Sequence, residues 1–339
     1  MTTWREAHTR AAVLAGELHG DLDTPMDRPV DVFGAVARVG LVLAFAPFGR
    51  VSGMYVRTAG SQGVLLNQGH PRTRQRYTAG HELGHHSFGH QTEVDEDLEV
   101  TLQRGNVDRW PDHEKEAEAF GAWFLMPRSV IRAGMKRLGF AAIRNEFDVY
   151  ALSLWLGTSY TATARQLAAA RVVAYNQSER WARIPPRTIK ASLAGEEVPN
   201  DLRNDIWWLQ DQHDGLSIEA RPGDRILLTL DEIPASGFSW RFREPGLGLR
   251  LVRDSYVDDW EPPFIGAPAR EGDVAGASHP RALLLEVESP AAQSPSHLRL
   301  VKDQTWNPDS GSAQLALEIS VHTPLHGIQL PEQQFALVR

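Results

Sequence analysis

Two histidines and a glutamate in one short run are the residues of this chain best suited to chemistry. The run is His81-Glu82-Leu83-Gly84-His85. Residues four apart share a helix face, so His81 and His85 can direct imidazole nitrogens at one metal ion. Glu82 lies beside them, where its carboxylate can accept a proton from water. The run predicts a zinc site with Glu82 as general base, and a third protein ligand must come from elsewhere.

A second run, residues 114–127, offers that third ligand. Its pattern predicts a helix ended by Pro127, with Glu114 and Glu118 along one edge of an apolar stripe. A carboxylate is costly to bury without a partner. We expect Glu114 to bind the metal and Glu118 to accept the ring N–H of a ligating histidine. The alternative is that Glu114, Glu116 and Glu118 form a solvated rim.

Two further histidines follow the first run. His90 lies about one turn after His85, and zinc peptidases commonly use a histidine or tyrosine to stabilise the oxyanion of a tetrahedral intermediate. The alternative role for His90 is that of a polar residue favoured by the dipole at a helix end. His86 projects about 100° away from His85 around the helix, so we expect it to miss the metal.

Composition limits the classes of protein to which the chain can belong. Its 339 residues suggest two or three domains, and the absence of cysteine excludes a disulfide framework, a thiol nucleophile and cysteine-ligated zinc. A net charge of −8 argues against a protein that coats nucleic acid. We find no signal peptide and no long apolar run, so we expect a cytoplasmic protein without a membrane partner.

Residues 5–180 resemble the ImmA/IrrE family of zinc metallopeptidases. Besides the two runs above, the resemblance is carried by Pro29-Val30-Asp31-Val32, Ala35-Val36, Gly40, Ser52-Gly53, Val64-Leu65-Leu66-Asn67 and Tyr77-Thr78. It implies a gluzincin-like core, a bound Zn²⁺ held by His81, His85 and Glu114, and Glu82 as general base. It also implies a substrate, a helix-turn-helix transcriptional repressor whose cleavage derepresses stress or mobile-element genes. Glu118 departs from the family, which has Asn or Asp there.

The helical region after Pro127 has the layout of a helix-turn-helix. Residues 148–169 contain two predicted helices separated by a glycine-containing turn. The second helix and its end offer only Arg165 and Arg171 as cations, which is few for a DNA surface. We therefore favour helix packing over DNA binding. We expect a peptidase domain at 1–128, this helical region at 129–175 and a connector at 176–215, with a short helix at 202–210.

Residues 216–339 have the sequence pattern of a β-domain. About seven predicted strands with alternating polarity, separated by Gly and Pro, favour an immunoglobulin-like sandwich. The segment 233–240 is similar to a binding loop of the chagasin family, which inhibits papain-like cysteine peptidases, and Trp306 matches the tryptophan of another loop. Phe238, Trp240 and Trp306 are thus candidates for contacting a partner. We expect this domain to sense a signal or dock a partner.

The sequence thus predicts an α+β protein in which a zinc endopeptidase precedes a β-sandwich. Two other classes remain. One is a catalytically silent regulator that binds metal, and the other is an interaction protein whose sandwich binds or inhibits a peptidase.

Overall fold

The structure is a computed structural model in which two compact units are distinguished. The first unit comprises Met1–Met135, Trp155–Arg183 and Pro324–Arg339, and the second comprises Lys136–Leu154 and Ile184–Thr323. The residues that the structure describes are 2–49, 51–58, 61–90, 110–195, 197–232, 236–256, 279–288, 295–304, 306–307, 310–322 and 325–329.

Helices and one small sheet make up the first unit, and two of the helices named below are divided between the first and the second unit. The helices are α1 (Trp4–Asp21), α2 (Val32–Arg38), α3 (Arg72–Phe88), α4 (Asp112–Leu125), α5 (Arg128–Arg137), α6 (Glu146–Leu156), α7 (Tyr160–Ala169) and α8 (Tyr175–Ala182). The strands are β1 (Val42–Ala46), β2 (Gly53–Arg57) and β3 (Gln62–Asn67), which β12 (Gly327–Gln329) joins from the far end of the chain.

Local sequence explains how α1 begins and which face it buries. Thr3 caps the helix in a capping box with Glu6, which satisfies amide groups of the first turn that have no partner within the helix. Alanines at positions 7, 11 and 15 are at most 1% exposed, and this stripe of small side chains permits close packing. His19 ends the stripe by stacking on Phe124 of α4 with the ring centroids 4.4 Å apart.

The sheet of the first unit has the strand order β12-β1-β3-β2. β1 pairs parallel with β3, and β2 pairs antiparallel with β3, so β2 lies at one edge. At the other edge β12 pairs antiparallel with β1 through three residue pairs. A segment almost 300 positions away in sequence therefore completes a sheet whose other strands are local.

The second unit combines the helix α9 (Pro186–Ala194) and the last part of α5 and most of α6 with two four-stranded sheets. Its strands are β4 (Ile206–Gln210), β5 (Leu216–Ala220), β6 (Arg225–Glu232), β7 (Phe238–Pro245), β8 (Leu249–Tyr256), β9 (His279–Val287), β10 (Ser296–Gln304) and β11 (Ala313–Val321). One sheet has the order β5-β11-β10-β7, and the other β4-β6-β9-β8. Burial alternates along β5 and the first half of β10, as in strands with one face in a core.

A buried polar network ties the helices of this unit to its sheets. Lys190 on α9 donates to the Asn204 carbonyl and forms an ion pair with Asp205 at 2.9 Å. Tyr150 on α6 donates to the same carboxylate. Asp224, in the turn before β6, accepts the backbone N–H of Asp205. Burial, followed by the nearby charge of Asp205, raises the pKa of Asp224 to about 6.

The mixed α+β class predicted from sequence is confirmed. The prediction of a helix at 202–210 is wrong, because Ile206–Gln210 forms β4 and pairs parallel with β6. Its apolar and aromatic side chains favour a strand once a partner strand is available. Within the part of the chain that the structure describes, no helix is both long and apolar enough to cross a membrane.

Candidate metal centre

Glycines allow α3 and α4 to approach closely enough to share a metal site. A Cβ on Gly84 would lie 3.0 Å from both the Cα and the carbonyl oxygen of Ala117. A Cβ on Gly121 would lie 3.0 Å from the backbone nitrogen of His81. Both distances are shorter than the ordinary van der Waals contacts of a Cβ atom, which are 3.4–4 Å. The side chains of α3 and α4 that face each other can therefore converge on one point.

Three potential ligands converge there. The Nε2 atoms of His81 and His85 are 3.0 Å apart, and the two oxygens of Glu114 lie 3.2 Å from His81 Nε2 and 3.5 Å from His85 Nε2. Zinc bonds of about 2.0–2.1 Å in a tetrahedron give ligand separations of about 3.3 Å. Among the described residues, these three form a cluster whose ligand atoms all lie within 4.8 Å of one another and could hold a metal ion. Their donor set of two imidazoles and a carboxylate fits zinc.

The outer nitrogen of His81 is held by a carboxylate. His81 Nδ1 lies 3.2 Å from Glu118 Oε2, and the hydroxyl of Tyr77 donates to Glu118 Oε1 at 2.9 Å. A proton on Nδ1 leaves Nε2 free to bind a metal. The glutamate in place of the family's Asn or Asp therefore reaches the ligating ring. In this arrangement Glu118 lies where an outer partner of a ligand is expected.

The outer nitrogen of His85 faces His90. Gly89 ends α3 with a φ of 72°, and the His90 N–H then donates back to the His85 carbonyl at 2.9 Å. This turn brings His90 Nδ1 to 3.0 Å from His85 Nδ1. The other nitrogen of His90, Nε2, lies 3.2 Å from Glu116 Oε2. His90 is thus on the far side of the His85 ring from Glu114.

Charge around the ligands favours a cation. Burial lowers the pKa of His81, but Glu114 and Glu118 outweigh it, and the pKa lies well above its usual value. Burial and the nearby charge of His81 lower the pKa of His85 to about 3. Burial raises the pKa of Glu114, but hydrogen bonding to His81 outweighs it and brings the pKa to about 2. The neighbouring carboxylates thus favour positive charge at this position.

Glu82 and His113 complete the surroundings. Glu82 is 7% exposed on α3, and its negative charge contributes to the raised pKa of His81. Neighbouring residues of a helix project about 100° apart, yet His113 Nε2 lies 3.5 Å from Glu114 Oε1. Both therefore act electrostatically on the ligands, Glu82 on His81 and His113 on Glu114.

The candidate partner residues of the second unit differ in exposure. Trp306 is 70% exposed, and its ring lies against Gly237, where a Cβ would come within 2.0 Å of it. Phe238 is half-buried. Trp240 is 2% exposed, with its backbone N–H donating to Glu232, so its side chain belongs to the core. Of these three side chains, those of Phe238 and Trp306 are accessible to solvent. Residues 233–235 of this loop lie outside the described part of the chain.

Sequence reasoning missed Glu116 and Arg10. Glu116 is 6% exposed and is paired with Arg10 from α1 as well as with His90. The alternative of a solvated glutamate rim is therefore wrong for Glu114 and Glu116, both of which are buried. In the sequence Glu116 is one of three glutamates on a helix with many apolar residues, which is a signal that it is buried. Its partner Arg10 lies 106 positions away, and no local pattern connects the two.

Three solved structures of low identity are similar to part of the chain. They are the cysteine protease inhibitor EhICP2 from Entamoeba histolytica (16% identity, 35% of this chain and 96% of that chain, TM-score 0.26), Amebosin (18% identity, 35% and 98%, TM-score 0.27), and PbICP-C in complex with falcipain-2 (10% identity, 36% and 95%, TM-score 0.21). A search of curated proteins finds no match.

A family model gives a match of a different kind. It covers residues 36–139, which contain α3 and α4 with all three potential ligands. The resemblance inferred from the two sequence runs is thereby confirmed for this segment. The part of the chain that carries His81, Glu82, His85 and Glu114 matches the IrrE N-terminal-like domain of the Peptidase M78 family.

Proposed function

We propose that the protein is a zinc-dependent endopeptidase with its reaction centre between α3 and α4. The observation that carries this proposal is the convergence of His81 Nε2, His85 Nε2 and the Glu114 carboxylate at separations near those of a tetrahedral site. The match of residues 36–139 to a peptidase family supports it. A zinc ion, when bound, supplies Lewis acidity that polarises a carbonyl group and makes water more acidic.

The residues of the chain hold the ligands and move the proton. Glu118 keeps the proton of His81 on Nδ1, so that Nε2 presents a lone pair to the metal. Glu82 accepts a proton from the attacking water and returns it to the leaving amine. Its burial next to His81 keeps the carboxylate close to the reacting group and limits competition from solvent.

The edge strand β2 is the proposed binding surface for the substrate backbone. β3 is flanked by β1 and β2 and is not available for pairing, whereas β2 has no further strand beside it among the described residues. Gly53 lets β2 lie close to α3, since a Cβ there would be 2.6 Å from Thr78 Cγ2. Tyr55 of β2 hydrogen-bonds His86 of α3 at 3.2 Å. An extended peptide can add to this edge beside the metal helix.

The proposed substrate is a helix-turn-helix transcriptional repressor in the cytoplasm, cut so that stress or mobile-element genes are derepressed. The resemblance to the ImmA/IrrE family supports this substrate class, and a chain without cysteine suits a reducing compartment. The two sheets of the second unit are proposed to face each other as an immunoglobulin-like sandwich. Exposed Trp306, lying on Gly237, supports a docking role for its loops.

The direct test is cleavage of purified helix-turn-helix repressors by the full chain loaded with zinc. The matched control is Glu82→Gln, which removes the proton acceptor and leaves the three ligands intact. We expect the wild-type chain to cut one repressor at a defined bond and Glu82→Gln to be slower by several orders of magnitude while keeping its zinc. Zinc binding without cleavage of any repressor would support the silent regulator instead. Cleavage by Glu82→Gln near the wild-type rate would exclude Glu82 as the base.

A further inference from the structure

Behind His85, a chain of side chains reaches from the ligand to the first helix. His85 Nδ1 faces His90 Nδ1 at 3.0 Å, His90 Nε2 faces Glu116 Oε2 at 3.2 Å, and Glu116 is ion-paired with Arg10. We propose that His90, Glu116 and Arg10 are positioning residues that fix the tautomer and orientation of His85 for metal binding. This inference rests on the proposed metal centre and deepens it.

The direction of each hydrogen bond follows from the requirement that a ligating histidine presents an unprotonated nitrogen to the metal. His85 must present the lone pair of Nε2, so its proton is on Nδ1 and donates to His90. His90 Nδ1 then accepts, which places the proton of that ring on Nε2. This proton donates to the carboxylate of Glu116, whose negative charge is balanced by Arg10. One assignment of protons thus satisfies all three bonds.

Packing against Phe88 holds the side chains of His90 and Arg10 in place. Phe88 stacks on His90 with centroids 5.4 Å apart and rings within 6° of parallel. The Arg10 guanidinium lies 5.6 Å from the centroid of the Phe88 ring, within the range of a cation–π contact. Arg10 therefore contacts both Glu116 and the aromatic ring that covers His90. Rotation of His90 away from His85 would break the stack and leave Glu116, which is 6% exposed, with one partner fewer.

The two ligating histidines are thus held differently. His81 is held by a carboxylate directly, through Glu118, whereas His85 is held by a carboxylate through a second histidine. A neutral imidazole between ligand and carboxylate orients the ring while placing less negative charge next to it. Arg10 is on α1, His85 on α3, His90 in the turn that follows α3, and Glu116 on α4.

The test measures zinc affinity of the full chain by competition with a chelator, together with the visible absorption of the cobalt-substituted protein. His90→Leu removes the acceptor, and we expect about 10- to 100-fold weaker zinc binding and a changed cobalt spectrum. His90→Asn places an amide oxygen near the former Nδ1 position and should restore most of the affinity. Glu116→Gln, which keeps the shape and loses the charge, should weaken binding to an intermediate degree.

His86→Ala is the matched control, because His86 follows the ligand His85 on α3 but hydrogen-bonds Tyr55 instead of a ligand. Its zinc affinity should equal that of the wild type. Wild-type affinity and cobalt spectrum in His90→Leu would overturn the proposal, as would equal losses in His90→Leu and His90→Asn. If the wild-type protein binds zinc but cleaves no repressor, only the proposed function is refuted. The zinc affinities of the His90 and Glu116 variants relative to the wild type still test whether these residues position His85. A wild-type chain that binds no zinc overturns both.

Discussion

Replacing Gly84 by alanine separates metal binding from fold stability. The added Cβ would lie 3.0 Å from Ala117 Cα and 3.1 Å from Phe120 Cβ, whereas carbon atoms prefer about 3.5–4.0 Å. The two helices must therefore move apart locally by about 0.5 Å. Metal–ligand distances tolerate only about 0.2 Å. Because His81 and His85 are on one helix and Glu114 is on the other, the separation acts directly on the ligand set.

The effect on stability is expected to be modest. Overpacking costs about 1–3 kcal/mol, and the gain in helix propensity from glycine to alanine returns about 1 kcal/mol. The free energy of unfolding should thus fall by about 0–2 kcal/mol. We expect the free energy of zinc binding to weaken by at least about 1.4 kcal/mol, which lowers the zinc affinity about tenfold.

The assay pairs chemical denaturation of the zinc-free protein with chelator competition for zinc. Gly16→Ala is the matched control, because Gly16 is also within a helix and a Cβ there meets nothing within 4 Å. That variant should gain about 1 kcal/mol in stability and keep its zinc affinity. If Gly84→Ala behaves like Gly16→Ala in both measurements, close packing of α3 on α4 does not set the metal geometry.

Two further predictions concern stability. The pKa of Asp224 is about 6 in the folded state, against 3.8 ordinarily, so between these pH values the folded protein binds more protons at this group than the unfolded protein does. The contribution of Asp224 to the free energy of unfolding therefore falls by about 2–3 kcal/mol as the pH rises from 4 to 6. Denaturation at several pH values should show that fall less steeply in Asp224→Asn, and identical slopes would refute the assignment. Ending the chain at His322 removes β12 and leaves the β1 edge unpaired, which should lower the stability of the first unit by about 1–2 kcal/mol. Ile328→Ser, at a side chain 63% exposed, should have little effect, and a truncated chain as stable as the full one would show that β12 contributes nothing.

The candidate metal centre could be proposed from the sequence because its signals are local. The spacing of His81 and His85 fixes their common helix face, and the apolar stripe around Glu114 marks a buried carboxylate. Residues 41–46, 51–56 and 63–66 are short segments rich in apolar and β-branched side chains, a pattern that predicts strands, and β1, β2 and β3 lie within two residues of these bounds. The alternating polarity of residues 313–321 predicts a strand, and β11 has these bounds.

The rest depends on contacts that no local pattern encodes. β12 has three residues and pairs with β1 from the other end of the chain. β4 was mistaken for a helix because its identity as a strand depends on pairing with β6. His90 was predicted as a candidate, but its partner could not be predicted, since the turn at Gly89 and the ion pair of Glu116 with Arg10 decide where the ring points.

The most direct test of the metal centre is the zinc content per chain of the wild type and of Glu114→Ala, measured by elemental analysis after removal of loosely bound metal. Glu146→Ala, which changes a first-turn glutamate of a different helix, is the control. The arrangement of His81, His85 and Glu114 predicts one zinc ion per chain in the wild type and control and a strongly reduced content in Glu114→Ala. Full zinc content in Glu114→Ala would contradict the assignment of Glu114 as the third ligand.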